Sequence, residues 1–208
     1  MSKPFFSVIV PAHNAEGFIR KTLDSVAMQD FKDYELIVVC DRCTDNTYNV
    51  ACEYDHLVPT ITVIETNYGM DGLARNKGID LADGEWILFL DHDDWWLHEY
   101  VMTEIRKMIQ ALNGEADLIV FDFVWKGIGC YINKANRMNI AVWSKAFRRE
   151  FIGKIRFPAI EFTSDENFMN NILAKMPRSY KLDRLMYYYD YMRPGSQTEA
   201  HRQGGAGG

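Results

Sequence analysis

The chain contains the stretch Trp86-Ile87-Leu88-Phe89-Leu90-Asp91-His92-Asp93-Asp94-Trp95-Trp96, in which five apolar residues run directly into three carboxylates within four positions. A short continuous apolar run predicts a strand buried on both faces, as in a parallel sheet. Ionised carboxylates are costly in such a core unless they meet a cation or water. Because open α/β sheets bind their ligands at the carboxyl ends of the strands, we expect a divalent metal in a crevice at this edge.

Strands and helices alternate through the first half of the chain. Apolar runs predict strands over 5–10, 34–40, 60–65 and 86–90. Helical periodicity and cap residues predict helices over 15–29, 47–54, 72–82 and 98–112. This order predicts an α/β fold with a Rossmann-like, mostly parallel central sheet flanked by helices. The chain lacks both G-x-G-x-x-G and a P-loop, which argues against an NAD enzyme or a P-loop phosphotransferase.

The second half is less regular and predicts a smaller mixed part. Strands are expected over 117–124, 180–182 and 185–189, with a loop over 126–137 between the first two. Helices are expected over 141–152 and 165–174. The Gly-rich residues 199–208 are expected to form a flexible tail.

Composition narrows the class of protein. A chain of 208 residues suits one α/β domain, and its net charge of -6 argues against a nucleic-acid partner. No apolar run approaches the roughly 20 residues of a membrane span, and the N-terminus does not read as a signal peptide. With only four Cys, we expect a cytoplasmic protein, and peripheral contact with the inner face of the membrane stays open. Cys40-Asp41-Arg42-Cys43 has redox spacing, an alternative to which we give little weight.

Four blocks of sequence follow one another along the chain. They are Phe6-Ser7-Val8-Ile9-Val10-Pro11-Ala12-His13-Asn14; Glu35-Leu36-Ile37-Val38-Val39-Cys40-Asp41-Arg42-Cys43-Thr44-Asp45-Asn46-Thr47; Leu73-Ala74-Arg75-Asn76-Lys77-Gly78 leading to Asp91-His92-Asp93-Asp94; and Ser164-Asp165-Glu166-Asn167-Phe168. In this order they resemble the family 2 glycosyltransferases, inverting enzymes with the glycosyltransferase A-type fold. The resemblance covers about 5–198 and implies a single catalytic domain over 1–198. In that domain 1–116 would bind the nucleotide and 117–198 the acceptor.

The resemblance implies a metal site at the acidic stretch. Asp91-x-Asp93 resembles the family's D-x-D motif, which implies that Asp93 is the direct ligand of Mn²⁺ or Mg²⁺ and that Asp91 lies near the ribose and the metal's waters. Asp94 is a candidate second ligand. Hard cations of this kind prefer carboxylate oxygens together with substrate phosphates. The alternative is an acidic turn that caps the following helix.

The resemblance also implies a set of residues that bind the nucleotide-sugar. They are Pro11, His13, Asn14, Glu16, Asp41, Arg75, Asp91, His92, Arg193 and Ser196. Asp41 would accept a hydrogen bond from the nucleobase, although the family usually has two acids and Gly-Ser at this loop. Arg75 would reach the diphosphate or the base, and guanidinium suits phosphate because it stays charged. The alternatives are a turn role for Asp41 and, for Arg75, a surface position or a pair with Asp71.

The block at Ser164 resembles the family's E-D-x-x-F pattern, whose Asp is the catalytic base. This implies that Asp165 takes the proton of the acceptor hydroxyl, with Glu166 as the rival and an N-cap role as the alternative. Trp95 and Trp143 are predicted to border the acceptor site, because aromatic faces stack on sugars; core packing is the alternative.

Together these residues predict a metal-dependent inverting transferase. It would move a sugar from a nucleoside-diphosphate-sugar, with a UDP-sugar favoured, to a hydroxyl of a glycan or glycolipid, as in polysaccharide biosynthesis. A catalytically inactive sugar-nucleotide-binding or scaffolding domain is the first alternative, and a nucleotidyltransferase the second. The sequence leaves a homodimer open.

Overall fold

A computed structural model describes residues 3–126, 130–133, 138, 140–160 and 163–190. Within these residues the strands are β1 (Phe6–Ala12), β2 (Tyr34–Asp41), β3 (Ile61–Thr66), β4 (Trp86–Phe89), β5 (Trp95–Trp96), β6 (Leu118–Lys126), β7 (Cys130–Asn133), β8 (Lys145–Arg148) and β9 (Ser179–Tyr189). The α-helices are α1 (Ile19–Ala27), α2 (Thr47–Cys52), α3 (Asp71–Leu81), α4 (Val101–Ala111), α5 (Arg149–Ile152) and α6 (Ser164–Ala174). Short 3₁₀ helices lie at Glu53–His56 and Val142–Ser144.

The strands form one sheet in the order β3-β2-β1-β4-β8-β6-β9-β5, with β7 paired to β6. The first four strands are parallel, so their carboxyl ends lie at one edge. From β4 the sheet changes direction, because β8 pairs with β4 and with β6 in antiparallel fashion. The predicted α/β class with a mostly parallel sheet and a mixed second part is confirmed, and both halves of the chain share one sheet.

Burial explains why these segments form strands. Every residue of β1, β2 and β4 is buried, as expected for parallel strands covered on both faces. Helix α3 approaches β1 closely at Gly78, where an added Cβ would lie 2.3 Å from Cγ2 of Ile9. The glycine therefore lets α3, which carries Arg75, lie directly against the sheet.

The predicted helix over 141–152 is wrong. A 3₁₀ turn, strand β8 and the four-residue helix α5 occupy this segment. The prediction rested on Trp143 and Phe147, and a spacing of four residues places side chains on one face of a strand as well as of a helix. Residues 145–148 form a strand because this segment pairs with β4.

Three smaller differences lie elsewhere in the sheet. Strand β7 falls within the predicted loop over 126–137. The predicted strands over 180–182 and 185–189 are one strand, β9, whose register against β6 shifts so that Asp122 pairs with Leu185. Trp95 and Trp96 form β5, which pairs with β9. The helices of the described residues include none that is long and apolar enough to cross a membrane.

Candidate active site

The acidic loop, residues 91–94, follows β4 at the carboxyl edge of the parallel strands. Two neighbouring elements hold its backbone. The hydroxyl of Thr22 in α1 lies 2.8 Å from the carbonyl oxygen of His92 and 2.7 Å from that of Asp94, either of which can accept its proton. His92 donates from Nδ1 to the carbonyl oxygen of Pro11, 3.1 Å away at the end of β1. The loop is therefore fixed at the place where the sequence predicts the ligand crevice.

Arg75 joins the acidic loop to the predicted catalytic base. Its Nη2 lies 2.7 Å from Oδ1 of Asp91, and its Nη1 lies 3.4 Å from Oδ1 of Asp165. The Arg75 side chain is only 7% exposed, against 22% for Asp91 and 25% for Asp165. The surface-arginine alternative is therefore wrong, and Arg75 contacts a carboxylate that lies 90 positions later in the chain.

Electrostatics keep this guanidinium charged. Burial lowers the pKa of Arg75, but the charges of Asp165, Asp91 and Asp71 outweigh burial and leave the pKa raised. Its Nε is buried and has no hydrogen-bond partner among the residues described. Arg75 is thus a fixed positive charge between the acidic loop and α6, and its Nε–H group is available to donate a further hydrogen bond.

Carboxylates outnumber cations at the centre of the crevice. Burial raises the pKa of Asp91; Arg75 opposes this, whereas the charges of Asp165 and Asp93 add to it. Asp91 and Asp93 are both half-buried rather than enclosed. A divalent cation would relieve this repulsion, and hard cations accept such oxygens. The described part of the chain contains no group of three or more His, Cys, Asp or Glu side chains that could hold a metal by itself.

Asp94 has a different environment from its neighbours. It is fully buried, and Oδ2 accepts a hydrogen bond of 2.7 Å from the hydroxyl of Tyr187, while Oδ1 accepts one of 2.8 Å from the backbone N–H of Asp190. Burial raises the pKa of Asp94 well above its usual range. Both oxygens thus attach the acidic loop to the end of β9 and the residue after it, and a metal contact of Asp94 stays a prediction.

Asp41 shapes the loop that leads into α3. Its carboxylate accepts hydrogen bonds from the hydroxyl of Thr66 (2.9 Å) and from the backbone N–H groups of Tyr68 (2.6 Å), Gly69 (2.6 Å) and Met70 (3.1 Å). Asp41 is only 4% exposed. The turn role is therefore present, and contact with a nucleobase stays a prediction.

The loop after β1 is attached to the loop after β2 by side chains that were predicted to bind the nucleotide. His13 donates from Nδ1 to the carbonyl oxygen of Asp41 at 2.7 Å. Asn14 and Glu16 accept from the backbone N–H groups of Thr44 and Asn46, both at 2.8 Å. All three side chains are exposed, whereas Pro11 is buried within β1. These contacts give the two loops a defined shape at the sheet edge.

The two predicted acceptor tryptophans are packed against other rings. Trp143 is 7% exposed and stacks on Tyr187 at 4.4 Å, which favours the core-packing alternative. Trp95 stacks on Tyr188 at 4.0 Å, and Nζ of Lys21 lies 3.1 Å from the Trp95 centroid but 6.0 Å from that of Tyr188. Lys21 and Tyr188 therefore cover opposite faces of Trp95, which leaves no free face for a sugar in this conformation.

Helix α6 presents the two candidate bases differently. Asp165 is half-buried and pairs with Arg75, whereas Glu166 is exposed. The N-cap of α6 is Thr163, without a side-chain cap among the described residues, so neither Ser164 nor Asp165 is the N-cap; Asp165 and Glu166 do stand in the first turn, as that alternative expected. Arg193, Ser196 and the tail over 199–208 lie outside the described residues.

Sequence reasoning missed three buried residues around the site. Thr22 and Tyr187 fix the acidic loop, and Lys145 lies beneath α6 with its side chain fully buried. None of these three residues belongs to a sequence motif from which its contacts could be predicted. Lys145 alone gave a signal, since it is the only charged residue between Met138 and Phe147.

Comparison with known proteins identifies the family. The model of the family described as Glycosyl transferase family 2 matches residues 7–172. The chain belongs to this family. Glycosyltransferase GlyA of Streptococcus pneumoniae is 25% identical over 91% of this chain and 31% of the relative. Poly(ribitol-phosphate) beta-N-acetylglucosaminyltransferase TarS of Staphylococcus aureus is 42% identical over 59% of this chain and 21% of the relative. The chain therefore spans a fifth to a third of the length of these two curated family 2 relatives.

Solved structures show the same fold. The structure of S. aureus TarS 1-349 in complex with UDP-GlcNAc has a TM-score of 0.82 and 25% identity, covering 94% of this chain and 61% of that chain. Mannosyltransferase PcManGT from Pyrobaculum calidifontis, in complex with GDP-Man and Mn2+, has a TM-score of 0.75 and covers 97% of this chain and 61% of that chain. At 18% identity the second likeness concerns the fold alone. The glycosyltransferase A-type fold predicted for this family 2 chain is thereby confirmed.

Proposed function

We propose that the crevice at the carboxyl edge of β1, β2 and β4 binds a nucleoside-diphosphate-sugar and transfers its sugar, with inversion, to a hydroxyl of a glycan or glycolipid. The observation that carries this proposal is the position of Arg75 between Asp91 and Asp165. It brings a cation for the diphosphate, the acidic loop for a metal and a carboxylate for the acceptor within one small region. Membership of family 2 supports the reaction class.

A divalent metal fits the residues at this edge. Asp93 would hold Mn²⁺ or Mg²⁺, with Asp91 next to it, because both carboxylates are half-buried in a region of excess negative charge. The ion would neutralise the charge that grows on the departing diphosphate. The Mn2+ complex of the mannosyltransferase with the same fold supports a metal, although that likeness extends only to the fold.

Asp165 is the base of this proposal. In a single displacement the acceptor hydroxyl loses its proton as it attacks the anomeric carbon, and a carboxylate within hydrogen-bond reach takes that proton. Asp165 is 25% exposed, so an acceptor can approach it, and Arg75 holds it at the edge near the acidic loop. Glu166 lies on the solvent side of the same turn without such support.

The donor is proposed to be a UDP-sugar. The support is the TarS complex with UDP-GlcNAc, whose protein aligns with 94% of this chain. Asp41 ends β2, the strand next to β1, so the loops that it shapes lie beside the switch in strand order between β1 and β4, where open α/β sheets bind their ligands. The acceptor is proposed only as a hydroxyl-bearing glycan or glycolipid.

Asp165→Asn tests the assignment of the base. We expect this variant to lose transfer by about 100-fold or more, the usual contribution of a general base, and to bind the donor as the wild type does. Glu166→Gln, the matched change one residue later, should keep both. Transfer at the wild-type rate in Asp165→Asn would reassign the base. Tight donor binding by a wild type that transfers to no acceptor would favour the binding-domain alternative.

A further inference from the structure

Lys145, the first residue of β8, is a charged residue buried inside the protein. Its relative exposure is 0%. Nζ donates to the carbonyl oxygen of Ala141 at 2.7 Å and lies 3.4 Å from the hydroxyl oxygen of Ser144. A buried ammonium is costly unless a negative charge acts on it. The packing of β8 indicates where that charge lies.

The register of β8 places Lys145 near the carboxyl edge of the sheet. Phe147 pairs with Ile87, and Ala146, the residue before it, pairs with Leu88. Continued by one residue, this antiparallel register puts Lys145 opposite Phe89. Phe89 precedes Asp91 by two positions. Lys145 therefore lies inside the sheet just below the acidic loop, on the same face of β8 as Phe147.

Helix α6 covers this face. Phe168 packs against Phe147 with ring centroids 5.8 Å apart. Asp165 lies one helical turn before Phe168, on the side of α6 that reaches Arg75 at the sheet edge. Lys145 and Asp165 are thus both displaced from the Phe147–Phe168 contact toward the carboxyl edge of the sheet. Burial lowers the pKa of Lys145 to about 7, and the charge of Asp165 acts in the opposite direction.

We propose that Lys145 is a positioning residue for Asp165: its buried amino group acts on the carboxylate electrostatically from beneath, while the guanidinium of Arg75 contacts it directly. The inference rests on the proposed function, because it concerns the base of that reaction. Arg75 also serves Asp91 and the donor diphosphate, so its hold on Asp165 weakens when the donor binds. Lys145 is buried beneath the site and keeps Asp165 oriented toward the acceptor.

Lys145→Met tests this role, because methionine has a similar length and flexibility and no charge. We expect kcat to fall by about 10- to 100-fold, the cost of a misplaced reacting group, while the donor dissociation constant stays within about twofold. Lys181→Met is the control: Lys181 in β9 is 33% exposed and pairs with Asp122 of β6, so both constants should stay unchanged. A Lys145→Met protein with wild-type kcat would overturn the proposal.

A second measurement does not require a Lys145 variant that folds. In protein labelled with ¹³C at lysine Cε, the resonance of Lys145 should shift when Asp165 is changed to Asn, since the facing charge disappears. Glu166→Gln, on the exposed side of the same turn, should leave it in place. A Lys145 resonance unaffected by Asp165→Asn would contradict the pairing.

The two experiments separate this inference from the proposed function. A wild type without transferase activity refutes the function, whereas the shift of the Lys145 resonance still reports whether Asp165 faces it. A wild type that transfers sugar, together with a Lys145→Met variant that is equally fast, refutes the inference alone.

Discussion

Arg75→Met removes the guanidinium that links the acidic loop to α6 and keeps most of the side-chain volume. The two carboxylates that it pairs with, Asp91 and Asp165, are then left half-buried without this counter-ion. We expect the variant to unfold more easily and to bind the donor weakly, since one cation of the diphosphate site is lost.

Two opposing terms set the magnitude. At an effective dielectric constant of about 20, unit charges about 4 Å apart interact by about 4 kcal/mol, and Arg75 has two such partners. The cost of burying the guanidinium offsets much of this, but removal of one member of a buried pair typically costs about 3–5 kcal/mol. Because Asp91 and Asp165 retain 22% and 25% exposure, we place the loss near the lower end, at about 3 kcal/mol.

Urea unfolding followed by tryptophan fluorescence measures this loss. With a dependence of about 2–3 kcal/mol per molar urea, the midpoint should move down by about 1 M. Arg20→Met is the control, because the pair of Arg20 with Glu53 is exposed on both sides and its removal should not move the midpoint. Arg75→Met combined with Asp91→Asn should recover part of the loss. Equal midpoints for Arg75→Met and Arg20→Met would refute the reasoning.

Two further predictions concern contacts of the second half of the sheet, of which the first attaches it to the acidic loop and the second joins β6 to β9. Tyr187→Phe leaves Asp94 without a hydrogen bond of 2.7 Å, so the free energy of unfolding should fall by about 1–3 kcal/mol in urea titrations; an unchanged value would refute this structural role. Arg178 lowers the pKa of Asp117 through a bidentate contact at 2.8 and 2.9 Å. Since a lowered carboxyl pKa stabilises the fold above the unfolded pKa, Asp117→Asn should be less stable than the wild type at pH 7, and the gap should close as the pH falls below about 4. A gap that stays constant with pH would contradict this account.

The sequence predicted best those strands that are buried on both faces. The bounds of β1, β2 and β4 agree with the apolar runs to within two residues, because a strand covered on both sides tolerates few polar residues. Strand β8 was mistaken for a helix because the spacing of Trp143 and Phe147 satisfies both periods. Only pairing with β4, which is distant in sequence, distinguishes them.

The sequence predicted which residues lie near the crevice, but not which partner each of them contacts. The order of the motif blocks predicted that Arg75 and Asp165 belong to one site; the structure brings the two side chains to 3.4 Å, and their roles stay predictions. The residue type of Asp94 could not tell whether its partner is a metal or the hydroxyl of Tyr187, which follows 93 positions later. The same limit applies to Lys145, whose burial depends on how α6 covers β8.

Calorimetric titration of UDP, GDP and CDP, each with and without Mn²⁺, tests most directly the claim that the acidic loop binds a diphosphate through a metal. We predict that at least one nucleotide binds about tenfold or more tightly with Mn²⁺ and that Asp93→Asn removes this gain, whereas Asp55→Asn, an acid distant from the crevice, retains it. Nucleotide affinities that are the same with and without Mn²⁺ in the wild type would contradict the account.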